Sequence, residues 1–537
     1  MIKQFKKNII TFILLLTSVL FGDFTFSDIP IQESGRIKPL DTYARNQLLR
    51  FSGKTSFNYI ELNKDSNLEE DKLSAIDFFI KILDSDFAYN AKVLYINNPE
   101  IEKSLVGNNE IEEKHLYSIN DLSKGYQHYY EYILPKMLDE TAYTNEIDYK
   151  IKEIIANIEH LILLHESLLI FKPIITTNSD YMNSILNNPD NNPISIVEFI
   201  VAQDSIISSI MNEQGDDNYK LELTLAFLSI REQCRMQLHF FKNRGEINLE
   251  YFNSLLNIIP SYEEGQSWNS PYVIVAKNLL YEPYDTDNYL QLKNEDARLL
   301  ALFNDFLKSS EKQESNLKEY RSIVSQYNVN TKKLILERNY NNINIFLYAL
   351  IGYVLGLLFI LISWIFNSFD KMKYKTIFAQ IAFGVSSLAF FLHASGIILR
   401  MIIMSRPPVS TLYESIIFVG FIIILVSLIF EYFRKDTLPL FLGLIGAIVL
   451  HFIGFKYAND GDTLGVLVAV LNSNFWLSIH VTTITFGYGV SLVAGLMAHA
   501  YLLQAAINPK NKNRLNKIFK NLYILTFIAL FFTLLGT

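Results

Sequence analysis

"RMIIMSRPPVSTLYES", residues 400–415, is the stretch on which the fold turns. It joins two long apolar runs and carries two arginines, a Pro-Pro pair and a glutamate where a bare turn would serve. Pro407 and Pro408 stop the preceding helix, because proline lacks the helical N–H and pushes the residue before it out of the helical region. Ser410 or Thr411 is placed to cap the next helix. Glu414 falls in its first turn, where negative charge suits the helix dipole. Glu414 is equally placed to pair with an arginine. Arg400 and Arg406 read either as headgroup anchors that snorkel outward or as bidentate partners for carboxylates.

Working outward, apolar spans lie at about 343–366, 377–404, 413–433, 437–455, 475–505 and 521–537, most near the roughly 20 residues that cross a bilayer. The loops fix their direction. "DKMKYK", "FRKD" and "NPKNKNRLNKIFK" hold ten Lys and Arg, whereas the alternate loops hold only Arg400, Arg406 and Lys456. The positive-inside rule puts the first set in the cytoplasm. The 400–415 stretch and "FKYANDGDTLGVLVAVLNSNFW" then lie at the outer face. The last span stops at "FFTLLGT" with no polar tail, and the expectation is a fragment.

Before 341 the chain changes character. It opens with "MIKQFKKNIITFILLLTSVLFGDFTFSDIP", three lysines before an apolar run of about fourteen residues, which reads as a signal peptide or N-terminal anchor over 1–23. Residues 24–340 hold no run long enough to span. "EIDYKIKEIIANIEHLILLHESLLIF" places Ile151, Ile154, Ile155, Ile158, Leu161, Ile162 and Leu168 mostly three and four apart, a helical stripe. Strand alternation is scarce, so this region reads as a mostly helical extracytoplasmic domain. "IPIQESGRIKPLDTYARNQLLRFSGK" near its start reads as a Gly-Arg and Lys-Pro turn before a helix. The fold class expected is all-α: a polytopic membrane helix bundle of about six spans, 341–537, preceded by a large extracytoplasmic domain. Its place is the inner (cytoplasmic) membrane, with the large domain on the periplasmic side.

Charge divides the same way. The 537 residues carry 47 Lys+Arg against 55 Asp+Glu, net −8. Residues 341–537 carry 13 against 6, net +7, which leaves −15 for 1–340. An acidic soluble part without a basic patch argues against nucleic acid as partner. Cys234 is the single cysteine, so neither an internal disulfide nor a cysteine metal cluster is available.

Ionisable residues at membrane depth each raise a functional question. Among the histidines of the membrane half, His393 lies near mid-membrane, His451 and His480 near the outer face and His499 near the inner face. The plain reading of each is a histidine bonded to a neighbouring helix. His480 differs in having Trp476 four residues before it, on the same helix face. The two are either an interface anchor or one wall of a site for a flat aromatic ligand with a central metal, since neutral imidazole is a common axial ligand of haem iron.

His393, Gly396 and Arg400, followed by "RPPVSTLYES", resemble the cytochrome c assembly family of the CcsA/ResC type. The family's turn reads roughly Gly/Ser-x-x-Pro, then Asn-x-Tyr-Glu-Ser. Pro408, Tyr413, Glu414 and Ser415 match it, while Thr411 stands where Asn is more usual. "NSNFWLSIHVTTITFGYGVSLVAG" is similar to the family's Trp-x-x-x-His helix, and "GRIKPLDTYAR" looks like the outer segment of bacterial members with a large outer domain. The likeness covers about 376–537 and, more loosely, 28–53.

What this resemblance implies is System II cytochrome c maturation. Haem b is moved to the outer face and presented for covalent attachment to apocytochrome c, as part of a holocytochrome c synthase (haem lyase) complex. The implied partners are apocytochrome c, a CcsB/ResB-type protein and membrane lipid. His480 matches the family's first external haem ligand, beside Trp476. Arg400 and Arg406 are candidates for the propionates, and Glu414 and His393 for support. The family's tryptophan-rich WWD motif and later histidines follow the next span, so the chain is expected to be truncated just before them. The rival classes are a membrane transporter or glycopolymer enzyme with an outer domain, and a receptor-like module whose outer domain is the working part. A Soret band separates the first reading from the transporter.

Overall fold

The computed structural model describes residues 22–62, 68–106, 114–139, 145–211, 216–240, 252, 255–261, 266–280, 292–308, 313–458, 463–465 and 474–537. The expected signal peptide or anchor lies almost wholly outside these residues. Two units separate, Phe24–Leu334 and Met1–Asp23 with Ile335–Thr537, and each is described by itself.

In the first unit the chain opens with a hairpin, β1 (Pro30–Glu33) against β2 (Arg36–Pro39), with Glu33 opposite Arg36. Ser34 and Gly35 turn it with φ of 51° and 77°. Two successive positive φ values make the primed turn that matches strand twist, and glycine takes that conformation without strain. The turn therefore falls at Ser34-Gly35, while Lys38-Pro39 ends a strand. Helix α1 (Leu40–Ser52) follows and ends on Gly53, left-handed at φ 67°, the usual helix stop. Two further hairpins occur, β3 (Ser56–Leu62) with β4 (Leu68–Ser74) and β5 (Leu94–Tyr95) with β6 (Leu116–Tyr117). The sequence hid them because β4, LEEDKLS, shows no alternation and β5 and β6 are two residues each.

Helix α2 (Glu146–Leu168) carries the first unit's largest apolar stripe. Asn145 caps it in a reciprocal box with Asp148, and it buries Ile151, Ile155, Ile158, Leu161, Leu164 and Leu168. By length and composition alone Glu146–Phe171 is one of seven helices apolar enough to cross a membrane. Its stripe, however, is already covered within its own unit. On its opposite flank His160 Nε2 donates to Gln47 Oε1 at 2.6 Å, and burial, with the Arg50 charge beside it, holds its pKa down at about 4. Cys234 is buried, and burial pushes its thiol up to about 12, so it behaves as a small hydrophobe.

The second unit is the membrane part. Helix α3 (Thr331–Ile343) enters it, and Asn344 at φ 47° breaks the run before α4 (Ile345–Ser368). Then follow α5 (Met372–Met404), α6 (Leu412–Arg434), α7 (Leu438–Ala458), α8 (Asn474–Ile507) and α9 (Lys512–Gly536). These are the six expected spans, with ends shifted by a few residues, and the protein is an all-α multi-pass membrane protein. The helices pack as successive hairpins, α4 with α5, α6 with α7 and α8 with α9, and α6 also packs on α8. Without a hydrophobic force between helices in lipid, small residues let backbones approach. Gly352 and Gly356 face Ala389 and Ser386, where an added Cβ would stand 2.6 and 2.3 Å away. Gly443 meets Ser427 in the same way. α6 buries Ile417, Ile422, Ile423 and Ile424. Loops 369–371, 435–437 and 508–511 share one end of the bundle, the basic one. The opposite end carries loop 405–411.

Candidate functional site

The 405–411 loop is built around one carboxylate. α5 ends on Ser405 in the left-handed conformation. α6 starts with Thr411 as cap: its hydroxyl accepts the Glu414 N–H at 3.2 Å, and Glu414 Oε2 accepts the Ser410 and Thr411 N–H groups at 3.0 and 3.2 Å. Glu414 Oε1 accepts from Arg400 Nη2 at 3.1 Å and from Arg406 Nη2 at 2.7 Å. The third residue of the capping box and the arginine partner are thus the same side chain, Glu414. Arg400 also donates to the Thr463 carbonyl and, at 3.2 Å, to its hydroxyl. Its guanidinium stands 4.9 Å from the Tyr413 ring. Arg406 donates to the Gly465 carbonyl at 2.7 Å. The triad therefore fastens two loops, 405–411 and the 463–465 part of the next loop at that end.

All three side chains are shut away: Arg400 and Glu414 are 6% exposed and Arg406 11%. The cavity they line with Ile397, Met401, Pro407, Pro408, Tyr413 and Ile417 is about 10 Å³, which is room for one water molecule at most. Two cations on one anion leave a net positive charge, and each guanidinium keeps an Nε with no partner among the described residues.

Trp476 and His480 stand at the same end of the bundle, on the first two turns of α8, and they are treated oppositely. Trp476 is 70% exposed and His480 is exposed. One helical turn apart, they present an indole and an imidazole side by side on one face. Phe475 sits edge-on to Trp476, ring centroids 5.3 Å apart. Among the described residues neither side chain has a hydrogen-bond partner. The pair offers an imidazole without a partner among the described residues beside an exposed aromatic face.

The other membrane histidines separate. His499 is exposed and bonds back to the Gly495 carbonyl at 2.7 Å. His393 and His451 meet each other inside the bundle, with Tyr353 against both. Their meeting was not legible in the spacing, which placed them at different depths on different spans. Tyr353 was missed altogether, since a tyrosine in an apolar run gives no signal.

Residues 409–537 match the model of the Cytochrome C assembly protein family. Among curated relatives, the protein NrfI of Wolinella succinogenes is 28% identical over 187 residues, 34% of this chain and 20% of that protein. The cytochrome c biogenesis protein CcsA of Guillardia theta is 29% identical over 179 residues, 33% of this chain and 54% of that protein. CcsA of Chlorella vulgaris is 32% identical over 111 residues, 20% and 34% of the two chains. The chain thus spans a fifth to about half the length of the relatives it matches. The matched stretch contains Glu414, Trp476 and His480, whereas His393, Arg400 and Arg406 precede it.

Proposed function

We propose that this chain works in System II cytochrome c maturation, holding haem b at the outer face of the cytoplasmic membrane for covalent attachment to apocytochrome c. The observation that carries this reading is the exposed pair Trp476 and His480, one turn apart at the end opposite the basic loops. The cytochrome c assembly match over 409–537 supports it. A neutral imidazole with a free nitrogen is what an axial iron site needs, and the indole supplies the flat bed.

The cavity volume bears on where such a ligand would sit. About 10 Å³ between Arg400, Glu414 and the prolines admits no macrocycle. The reading therefore puts haem on the open His480 face, outside the triad. Arg400 and Arg406 meet a propionate only by exchanging Glu414 for it, so we assign them first to holding loops 405–411 and 463–465. His480 binds, Trp476 orients, and Glu414 with its arginines fixes the neighbouring turn. Haem, when bound, supplies the vinyl groups to which apocytochrome thiols add. A CcsB/ResB-type protein and surrounding lipid complete the proposed assembly, and the acidic first unit offers a basic client a favourable field.

The test is absorbance of the purified full chain. A Soret band that His480→Ala removes and that added imidazole restores supports the reading. A variant that keeps its full haem content overturns it.

A further inference from the structure

A second site lies in the first unit, at the small sheet of β5 and β6. Leu94 stands opposite Tyr117 and Tyr95 opposite Leu116. Ile96 continues the ladder, its N–H donating to the His115 carbonyl at 3.0 Å. In an antiparallel pair, residues that bond across alternate with residues whose N–H and C=O point the other way. Leu94 and Ile96 therefore face β6, while Tyr95 and Asn97 turn their backbone groups to the opposite edge. Burial follows the same period of two: Leu94 and Ile96 are buried, Tyr95 and Asn97 exposed. Among the described residues no other strand pairs with β5, and no hydrogen bond reaches Tyr95 or Asn97 from that edge.

This edge is held from behind. Glu102 is buried in the helix Pro99–Val106. Its Oε1 accepts from the Tyr117 hydroxyl at 3.0 Å and lies 2.6 Å from His115 Nδ1, which ties both ends of β6 to that helix. Asn98 Oδ1 accepts the Glu100 N–H at 2.9 Å and fixes the turn from strand to helix. Beside the edge lies an open groove of about 830 Å³. Residues 95–101 form one wall, and Lys150, Glu153 and Ile154 of α2 form the other, sharing one helix face. The local charges favour a cation. Lys150 is already held by Glu146 at 2.7 Å, and Arg50 donates to Asn157 at 2.7 Å. Arg50 and Lys150 act on Glu153 only from beyond ion-pair distance. Among the described residues the Glu100 and Glu153 carboxylates enter no hydrogen bond or ion pair.

We propose that this groove takes an extended polypeptide segment carrying lysine or arginine, which adds to β5 as a further strand. Tyr95 and Asn97 supply the backbone bonds, two residues apart as on any strand edge. Tyr95 and Ile154 meet its apolar side chains, and Glu100 and Glu153 take the basic one. A bare strand edge is a template for pairing, and proteins usually blunt one with lysine, proline or a covering element. Here Pro99 closes one end only, and the open side is a groove with two carboxylates. The net charge of −15 on residues 1–340 acts in the same sense, drawing in a basic chain and repelling an acidic one. A sugar would use the same tyrosine and amide groups but has no need of a free strand edge. The inference stands apart from the haem reading, because it uses no residue of the membrane unit.

The experiment follows the fluorescence anisotropy of a labelled peptide of about eight residues, alternating lysine and threonine, titrated with the full chain in detergent. Saturable binding is expected, with the matching glutamate–threonine peptide about tenfold weaker or worse. The lysine–threonine peptide with methylated backbone nitrogens keeps its side chains and charge but cannot join a strand edge, and should also lose about tenfold. Asn97→Pro removes an outward N–H without touching the Ile96 bond and should weaken binding about tenfold. The double variant E100Q/E153Q should weaken it by a similar factor and flatten its salt dependence. His480→Ala should bind the peptide as the parent does, so failure of the haem reading leaves this result standing. No saturable binding by parent protein of native helicity overturns the proposal, as does equal binding of the methylated or the glutamate peptide. So does binding of a chitin oligosaccharide with none of the peptide, or parent-like affinity in both Asn97→Pro and E100Q/E153Q.

Discussion

The stretches 400–415 and 474–480 lie at the same end of the bundle and use residues of the same recognition vocabulary, arginine and glutamate in one, tryptophan and histidine in the other. The first closes on itself. Glu414 accepts four donors, two from arginines and two from backbone, and nothing larger than a water fits among them. The second stays open, with Trp476 70% exposed and His480 beside it. The difference teaches how to read charged residues at a membrane edge. An arginine with a carboxylate eight to fourteen residues away is first a fastener. An imidazole without a partner is what remains for a ligand.

Glu414→Ala tests the contrast most severely. It strands two buried guanidinium groups and should cost about 3–5 kcal/mol, read as a large fall in the midpoint of detergent-induced unfolding. A loss under 1 kcal/mol would mean that the triad is not closed. Arg406→Ala removes one charged hydrogen bond and frees the Gly465 carbonyl, for about 1.5–3 kcal/mol. Its companion signature is faster protease cutting of the 463–465 loop. Thr411→Ala loses the cap of α6 alone and should cost about 1 kcal/mol. At the other extreme, His480→Ala should change stability by less than about 0.5 kcal/mol, while the Soret band disappears. A stability loss as large as that of Thr411→Ala would make His480 structural and erase the contrast.

Much of this was legible in the sequence, for identifiable reasons. Spans are written as long apolar runs, so α4 to α9 fall near the expected positions. The proline pair and Thr411 mark where α5 stops and α6 starts. Trp476 and His480 share a face because four residues make about one turn. What stayed hidden depends on distance in space. That Glu414 would be both the capping-box partner of Thr411 and a double salt-bridge partner needed the positions of Arg400, Arg406 and the 463–465 carbonyls. The meeting of His393 and His451 joins residues 58 positions apart on helices whose relative height no spacing rule gives. Hairpins β3–β4 and β5–β6 were missed because two-stranded, polar or very short strands carry little periodic signal.

The length of α8 has a consequence of its own. Its 34 residues extend about 51 Å, against a hydrocarbon layer of about 30 Å. Even at a steep tilt of about 40° the helix still rises about 39 Å, so some of it emerges from the oil whatever its lean. Trp476 and His480 ride on the first two turns, at the level where a few ångströms decide between acyl chains and water. The height of this imidazole is therefore a property shared between the protein and its bilayer. A thicker membrane draws it down toward the lipid, and a thinner one lifts it toward the aqueous side.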